Sequence, residues 1–161
     1  MTTRTLLVSR GVHEMQRFSV NVFINRSQQD VFDFLSDPAN LPKWNSKFES
    51  AEWTSSDSPG IGSTYRVSVN LFGSRKQGLF EIVEWDCPDC FSYKMNARAF
   101  PIERMKSTIT LRPKNDGTQV TFESRFELVG VLKFAEGFFA KMGEKQDGKN
   151  FDVAKRLLEA G

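Results

Sequence analysis

Apolar side chains fall on every second position along residues 15–25 (MQRFSVNVFIN). Phe18, Val20, Val22 and Ile24 share one face, the pattern of a half-buried strand. Ser27 then opens Ser-Gln-Gln-Asp, a helix start with an acidic residue at the third helical position. Val31, Phe32, Phe34 and Leu35 supply the buried stripe of that short helix. Asp37-Pro38 is a second start, because proline at the first helical position lacks only an N–H that would go unpaired anyway. Two short helices are therefore expected after the first strand, ending near Trp44 and Asn45.

From there to about residue 130 the pattern is strand and turn. Ser58-Pro59-Gly60 and Gly62 mark a turn. Over residues 63–72, Tyr65, Val67, Val69 and Leu71 alternate with Arg66, Ser68 and Asn70. Residues 75–85 form a strand of ambiguous phase, since Phe80 and Ile82 compete with Leu79, Val83 and Trp85. Residues 91–97 align Phe91, Tyr93, Met95 and Ala97, and residues 104–111 align Met105, Ser107, Ile109 and Leu111. Asn115-Asp116-Gly117 reads as a hairpin turn in which the glycine takes positive φ. Beyond it Val120, Phe122, Ser124, Phe126 and Leu128 oppose Gln119, Thr121, Glu123, Arg125 and Glu127.

At Val131 the period changes. Val131, Phe134, Ala135, Phe138, Phe139 and Met142 follow helical spacing, and the stripe resumes at Val153, Ala154, Leu157 and Leu158. One long helix is expected. Gly137, Gly143 and Gly148 each weaken it by about 1 kcal/mol relative to alanine, so a bend or fray is expected between residues 143 and 149. Strands that bury one face each, followed by an amphipathic helix, make an α+β domain with an antiparallel sheet covered by helix.

Composition narrows the function. A chain of 161 residues suits one domain, here residues 15–161 behind an N-terminal extension at 1–14. Fifteen Phe against two Tyr favour a broad apolar interior with few polar atoms to satisfy. The net charge of +2 comes from interspersed charges of both signs without a basic block, so no nucleic-acid partner is expected. No window approaches the roughly 18–20 apolar residues of a membrane span, and stable membrane insertion is not expected. Leu6, Leu7 and Val8 are too brief a run for a secretory signal, which makes a cytoplasmic location the expectation. Cys87-Pro-Asp-Cys90 precedes a strand rather than a helix start, so it reads as a turn with incidental thiols more than a redox pair or half a zinc site. His13 is the only histidine, which disfavours Ser-His-Asp and Cys-His catalysis; no metal or cofactor is expected.

Several segments carry a resemblance. Val31-Phe-Asp-Phe-Leu-Ser-Asp-Pro-Ala-Asn-Leu-Pro-Lys-Trp44, Ser58-Pro-Gly-Ile-Gly-Ser-Thr-Tyr-Arg66, Ile82-Val-Glu-Trp-Asp-Cys-Pro88 and Gly117-Thr-Gln-Val-Thr-Phe122 precede the last helix in that order. Together they resemble the START/polyketide-cyclase-like (SRPBCC) superfamily. The resemblance implies a helix-grip fold, a seven-stranded curved antiparallel sheet wrapped around a long C-terminal helix with a cavity between them. It further implies binding or transport of a small hydrophobic molecule such as a lipid, isoprenoid or polyketide. A polyketide cyclase or dehydratase acting in the same cavity, or a co-chaperone-like interaction module, are the alternatives it leaves open. No catalytic residue transfers by motif.

Within such a fold the expected ligand-lining residues are Tyr65, Phe91, Tyr93, Met95, Phe122 and Phe126 on the sheet, and Phe134, Phe138 and Met142 on the helix. Ala97, Ser107 and Ser124 are small residues at inner-face positions and would leave room above the sheet, unless helix Phe side chains fill it. Tyr65 and Tyr93 offer hydroxyls for a ligand oxygen or reach solvent at a sheet edge. Gln146 is a further candidate polar contact. Arg98, Glu103 and Arg104, around Phe100-Pro101, form either a charged rim or a solvated loop. Trp44, Trp53 and Trp85 read as packing residues.

Overall fold

The computed structural model describes residues 14–55, 58–71, 73–96 and 101–161. Almost all of the N-terminal extension with His13, and also Ala97, Arg98 and Phe100, lie outside the described residues. The elements run β1 (Gln16–Ile24), α1 (Gln28–Ser36), a 3-10 turn (Pro38–Asn40), α2 (Leu41–Trp44), β2 (Phe48–Trp53), β3 (Thr64–Leu71), β4 (Ser74–Asp86), β5 (Cys90–Met95), β6 (Ile102–Lys114), β7 (Gly117–Leu128), a 3-10 segment (Gly130–Ala135) and α3 (Glu136–Ala160). The seven strands form one antiparallel sheet in the order β1-β7-β6-β5-β4-β3-β2. The fold is α+β, with the sheet curved around α3.

Local chemistry sets the early helices as the sequence implies. Ser27 Oγ accepts the Asp30 N–H at 3.1 Å and Asp37 Oδ1 accepts the Ala39 N–H at 3.0 Å, so α1 and the 3-10 turn start on side-chain caps, whereas α2 continues from that turn without one. In the hairpin after β6 the positive φ falls on Asn115 (51°), not on the glycine. Gly117 is needed for a different reason: a Cβ there would lie 2.5 Å from the Ile24 carbonyl oxygen. The ambiguous phase of β4 also has a cause. Its register shifts between Ile82 and Glu84, so Ile82 sits opposite Tyr93 while Trp85 sits opposite Phe91. One extra residue returns Trp85 to the face that Phe80 and Ile82 occupy.

The last helix departs from expectation in two ways. It runs unbroken through Gly143 and Gly148, and its predicted first turns are instead the 3-10 segment. It is also rotated: Phe134, Phe138 and Met142, expected to face inward, are 88%, 67% and 49% exposed. The buried residues of α3 are Glu136, Ala140, Asp147, Asn150, Phe151 and Ala154. The physical reason is a close approach to β1. A Cβ at Gly143 would lie 2.8 Å from the Phe18 ring, so only this glycine-bearing face can lie that near the strand. Phe138 is about 140° around the helix from Gly143 at 3.6 residues per turn and turns outward.

Both ends of α3 are tied down in that rotation. At its start Glu136 Oε1 accepts the Leu128 N–H at 2.9 Å. Buried Glu127 takes Arg104 Nε and Lys133 Nζ, each at 2.7 Å, which ties β6, β7 and the 3-10 segment together. At its end Arg26 Nε donates to the Leu158 carbonyl at 2.7 Å, Lys155 Nζ to the Phe23 carbonyl at 2.6 Å, and the Asn25 N–H to Glu159 Oε1 at 2.8 Å.

Two outcomes follow. Gly143→Ala should destabilise by about 1–3 kcal/mol through overpacking on Phe18, whereas Gly148→Ala, with nothing within 4 Å of its added Cβ, should stabilise by about 0.5–1 kcal/mol; urea denaturation reads both signs. The Glu127 carboxyl is held below the usual carboxylate range, first by its hydrogen bonds to Lys133 and Arg104. Its contribution is therefore present above that range and lost as pH falls through the lowered value. The urea midpoint of Glu127→Gln should lie below that of the unaltered protein at pH 7, and the gap should close on acidification.

Candidate functional site

The strand registers set a row of side chains across the concave face. Ile82 pairs with Tyr93, Tyr93 with Ser107, Ser107 with Ser124, and Ser124 with Phe18. The next row runs Trp85, Phe91, Ile109, Phe122 and Val20. The small residues Ser107 and Ser124 are thus neighbours, and the Ser107 hydroxyl donates to Ser124 Oγ at 3.1 Å. Ser107 also hydrogen-bonds the Tyr93 phenol. The floor beneath α3 is a satisfied polar strip between Tyr93 and Phe18.

An aromatic wall stands beside that strip. Tyr65 stacks on Phe80 with ring centroids 5.5 Å apart, and Tyr93 meets both rings edge-on at 6.1 and 5.5 Å. Between this wall and the α1–α2 segment lies a space of about 20 Å³, lined by Leu35, Ser36, Leu41, Trp44, Tyr65, Ile82, Phe91, Tyr93 and Ile109 among others. That is room for about one water-sized group. Burial pushes the Tyr65 phenol well up, helped by Tyr93; burial also pushes Tyr93 up, helped by the charge of Asp147. Both remain protonated hydroxyls at neutral pH.

From Trp44, which lines that space, runs a polar seam in which residues 44–47, one after another, engage α3. The Trp44 ring packs on Phe151 at 4.9 Å. Asn45 Oδ1 accepts from Asn150 Nδ2 at 3.0 Å. Ser46 donates through its hydroxyl to Asn150 Oδ1 at 3.2 Å and accepts from Gln146 Nε2 at 3.0 Å. Lys47 Nζ meets Asp147 Oδ1 at 2.6 Å. Asp147 and Asn150 are 1% and 2% exposed, whereas Ser46 and Lys47 are exposed, so the network runs from the interior to the surface. Among the described residues, two buried side-chain atoms are left without a hydrogen-bond partner, Trp44 Nε1 and Asp147 Oδ2. Both belong to this seam. Native interiors rarely leave such groups unpaired, because each costs desolvation with no return.

The residues singled out from sequence divide accordingly. Tyr65, Phe91 and Tyr93 line the enclosed space, and Ser107, Ser124 and Phe122 lie on the same concave face. Met95 is half-buried against the core opposite Phe80. Phe126 belongs to a second cluster with Leu128 and Ala140. Phe134, Phe138 and Met142 are exposed and do not face the sheet as expected. Gln146 joins the seam, and Arg104 is engaged by Glu127. Trp53 and Trp85 pack on Tyr65 and on Phe32, but Trp44 also lines the space. The Cys90 thiol is pushed up to about 11, mainly by burial and Glu84, which is opposite to what an activated redox cysteine needs. Asp147, Asn150 and Asn45 were not singled out from sequence. Asp147, Asn150, Phe151 and Ala154 follow i, i+3, i+4, i+7 spacing, a second helical stripe that is legible once polar residues are admitted to it.

Residues 15–159 match the family described as polyketide cyclase / dehydrase and lipid transport. The chain belongs to that family. No curated protein sequence matches it. Solved structures of similar shape include the di-domain ARO/CYC BexL from the BE-7585A biosynthetic pathway (TM-score 0.74, 14% identity, 90% of this chain and 47% of that one). Ara h 8.0201 is similar at TM-score 0.71 and 15% identity, covering 91% and 99% of the two chains. A START superfamily protein from Mycobacterium smegmatis is similar at TM-score 0.68 and 15% identity, covering 89% and 94%. The chain spans about half the length of the di-domain protein (47%). At these identities the likenesses establish the shared helix-grip fold.

Within this family member the seam yields a stability test. Lys47→Met strands the Asp147 carboxylate, whose side chain is 2% exposed against 43% for Lys47. The cost should be about 1–3 kcal/mol, reduced from the fully buried case because Lys47 is half-solvated. Adding Asp147→Leu should recover most of it, as Asn150 Nδ2 keeps its bond to Asn45. Urea denaturation of the single and double variants gives the comparison.

Proposed function

We propose that the protein binds a small, largely apolar molecule between the sheet and α3, with a polar group of that molecule at the Trp44–Asp147 seam. The observation that carries this reading is an aromatic and aliphatic space lined by Tyr65, Phe91, Tyr93 and Trp44, whose buried indole N–H has no partner. Membership of a family described by cyclisation, dehydration and lipid transport supports the same reading. The enclosed space of about 20 Å³ means that a ligand larger than one water-sized group has to displace aromatic side chains as it enters. Tyr65, Phe80 and Tyr93 pack on one another and are the groups to shift, Tyr93 giving up its Ser107 hydrogen bond.

A neutral apolar dye, N-phenyl-1-naphthylamine, should bind at one saturable site with enhanced, blue-shifted emission. At a hundredfold excess over its Kd the dye should stabilise the fold by about 2.7 kcal/mol, which is roughly 5–10 °C in Tm. Ser107→Val raises the floor of the site and should weaken the dye at least about tenfold while circular dichroism shows an unchanged fold. Non-saturable binding, or saturable binding indifferent to Ser107→Val, would refute a site above the serines.

Chemistry on the bound molecule is a second reading, favoured by one arrangement. Two protonated phenols line the space and the charge of Asp147 is felt at Tyr93, which brings proton donors near an acceptor. With a poly-β-ketone substrate, Tyr93→Phe should lower kcat and leave binding nearly unchanged; equal turnover would remove Tyr93 from any proton transfer.

A further inference from the structure

The outward side of the C-terminal segment carries two side-chain ladders that the fold itself does not use. Val131 and Phe134 on the 3-10 segment and Phe138 and Met142 on the first turns of α3 are exposed. Phe134, Phe138 and Met142 recur at i, i+4 and i+8 and form one ridge. Phe138 meets Phe139 edge-on at 5.9 Å, and Phe139 packs with Leu132 on the Phe126–Leu128–Ala140 cluster, which gives the ridge a buried base. Lys141, Lys145 and Lys149 repeat the i, i+4, i+8 interval, and all three are exposed. At 3.6 residues per turn they lie within about 60° of Phe138 around the helix. Buried Ala140 and Asp147 lie on the opposite side. Among the described residues, none of the three lysines has an ion-pair partner. The carboxylates of residues 131–149 are Glu136 and Asp147, both buried, and exposed Glu144, which stands about 120° round from Phe138. Beyond Lys149 on the lysine side, Asp152 is followed by Arg156.

Each ladder costs the free protein something. Exposed Phe and Met keep apolar area in water, and lysines spaced i, i+4 repel one another. We infer that this face docks the protein on an anionic lipid surface, with the Phe134–Met142 ridge set into the interface and Lys141, Lys145 and Lys149 against the phosphates. A helix lying along a bilayer is held by both contributions together, apolar area beneath the headgroups and cations against their charge. Charge decides the occupant. A second copy would bring the same excess of cations, with Asp152 alone on that side to answer three lysines. A lipid surface supplies the opposite charge and needs no matching shape. The ridge also stands clear of neighbours, since a Cβ at Gly137 or Gly148 would meet nothing within 4 Å. At 1.5 Å per residue the ridge is about 12 Å long, against the roughly 30 Å of a bilayer's hydrocarbon core, so it lies on the surface and does not cross it. The docking face is turned away from the interior site, and neither reading depends on the other.

The test is co-sedimentation of the full chain with extruded vesicles of phosphatidylcholine, alone or mixed with an equal part of phosphatidylglycerol. At low salt the mixed vesicles should bind at least about tenfold more tightly, as expected of a few lysines near a charged leaflet. That advantage should fade as salt rises. The double variant Phe134→Ala/Phe138→Ala should bind mixed vesicles at least about tenfold more weakly, with an unchanged far-UV spectrum because both side chains are exposed. Lys141→Gln/Lys145→Gln should bring mixed and neutral vesicles to within about threefold of each other. Equal binding to the two vesicle types, binding to neither, or mixed-vesicle binding indifferent to the Phe substitutions would overturn the docking. So would a concentration-dependent dimer in light scattering that the Phe substitutions abolish, since a second copy then covers the ridge. Should the Phe variant fail to fold, the two vesicle types on the unaltered protein and the Lys variant still decide. None of these outcomes bears on the interior site, which the dye tests separately.

Discussion

The contact between Gly143 of α3 and the ring of Phe18 on β1 governs most of what lies inside this fold. A side chain at position 143 would overlap the ring, its Cβ 2.8 Å from the nearest ring carbon. The helix can approach the strand only with that face inward, and its rotation follows. Ala140, Asp147, Asn150, Phe151 and Ala154 then point to the interior, and Phe134, Phe138 and Met142 point to solvent. A grip of this kind is stabilised by close packing and is intolerant of added volume at the contact. The anchors at either end, Glu136 on the Leu128 N–H and Arg26 on the Leu158 carbonyl, hold the same rotation.

The rotation places polar residues where an apolar stripe would have sealed the core. Asp147 and Asn150 are buried, and the chain answers with four consecutive residues, Trp44 to Lys47, each matched to the helix. Most of the network is satisfied. Its two exceptions, Trp44 Nε1 and Asp147 Oδ2, are a standing cost to the folded state.

The sheet shows a complementary division. Its aromatic wall of Tyr65, Phe80 and Tyr93 is mutually packed, whereas the strip Tyr93–Ser107–Ser124 is polar and internally hydrogen-bonded. The serines do not open a large void, as their small size alone implied. They pair with each other and with the phenol, and the remaining enclosed space is about 20 Å³. The rings that line this space pack on one another, and Tyr93 is also tied to Ser107.

The strand alternation from Phe18 to Leu128, the capped starts at Ser27 and Asp37 and the change of period near Val131 were each legible along the chain. So were the helix-grip order and the inward faces carrying Tyr65, Phe91, Tyr93, Phe122 and Ser124. These depend on periodicity and on caps a few residues long, which neighbouring positions decide. What required tertiary structure was every choice between two locally equal options. The bulge at β4 that brings Trp85 inward depends on pairing with β5. The glycine at 117 answers to the Ile24 carbonyl, nearly a hundred residues away in the chain. Above all, the C-terminal segment carries two helical stripes, one with Phe134, Phe138 and Met142 and one with Asp147, Asn150, Phe151 and Ala154. Hydrophobicity alone favours the first as the inner face; the Phe18 ring against Gly143 selects the second, because shape at a close contact outweighs the gain from burying a larger side chain that has no room to fit.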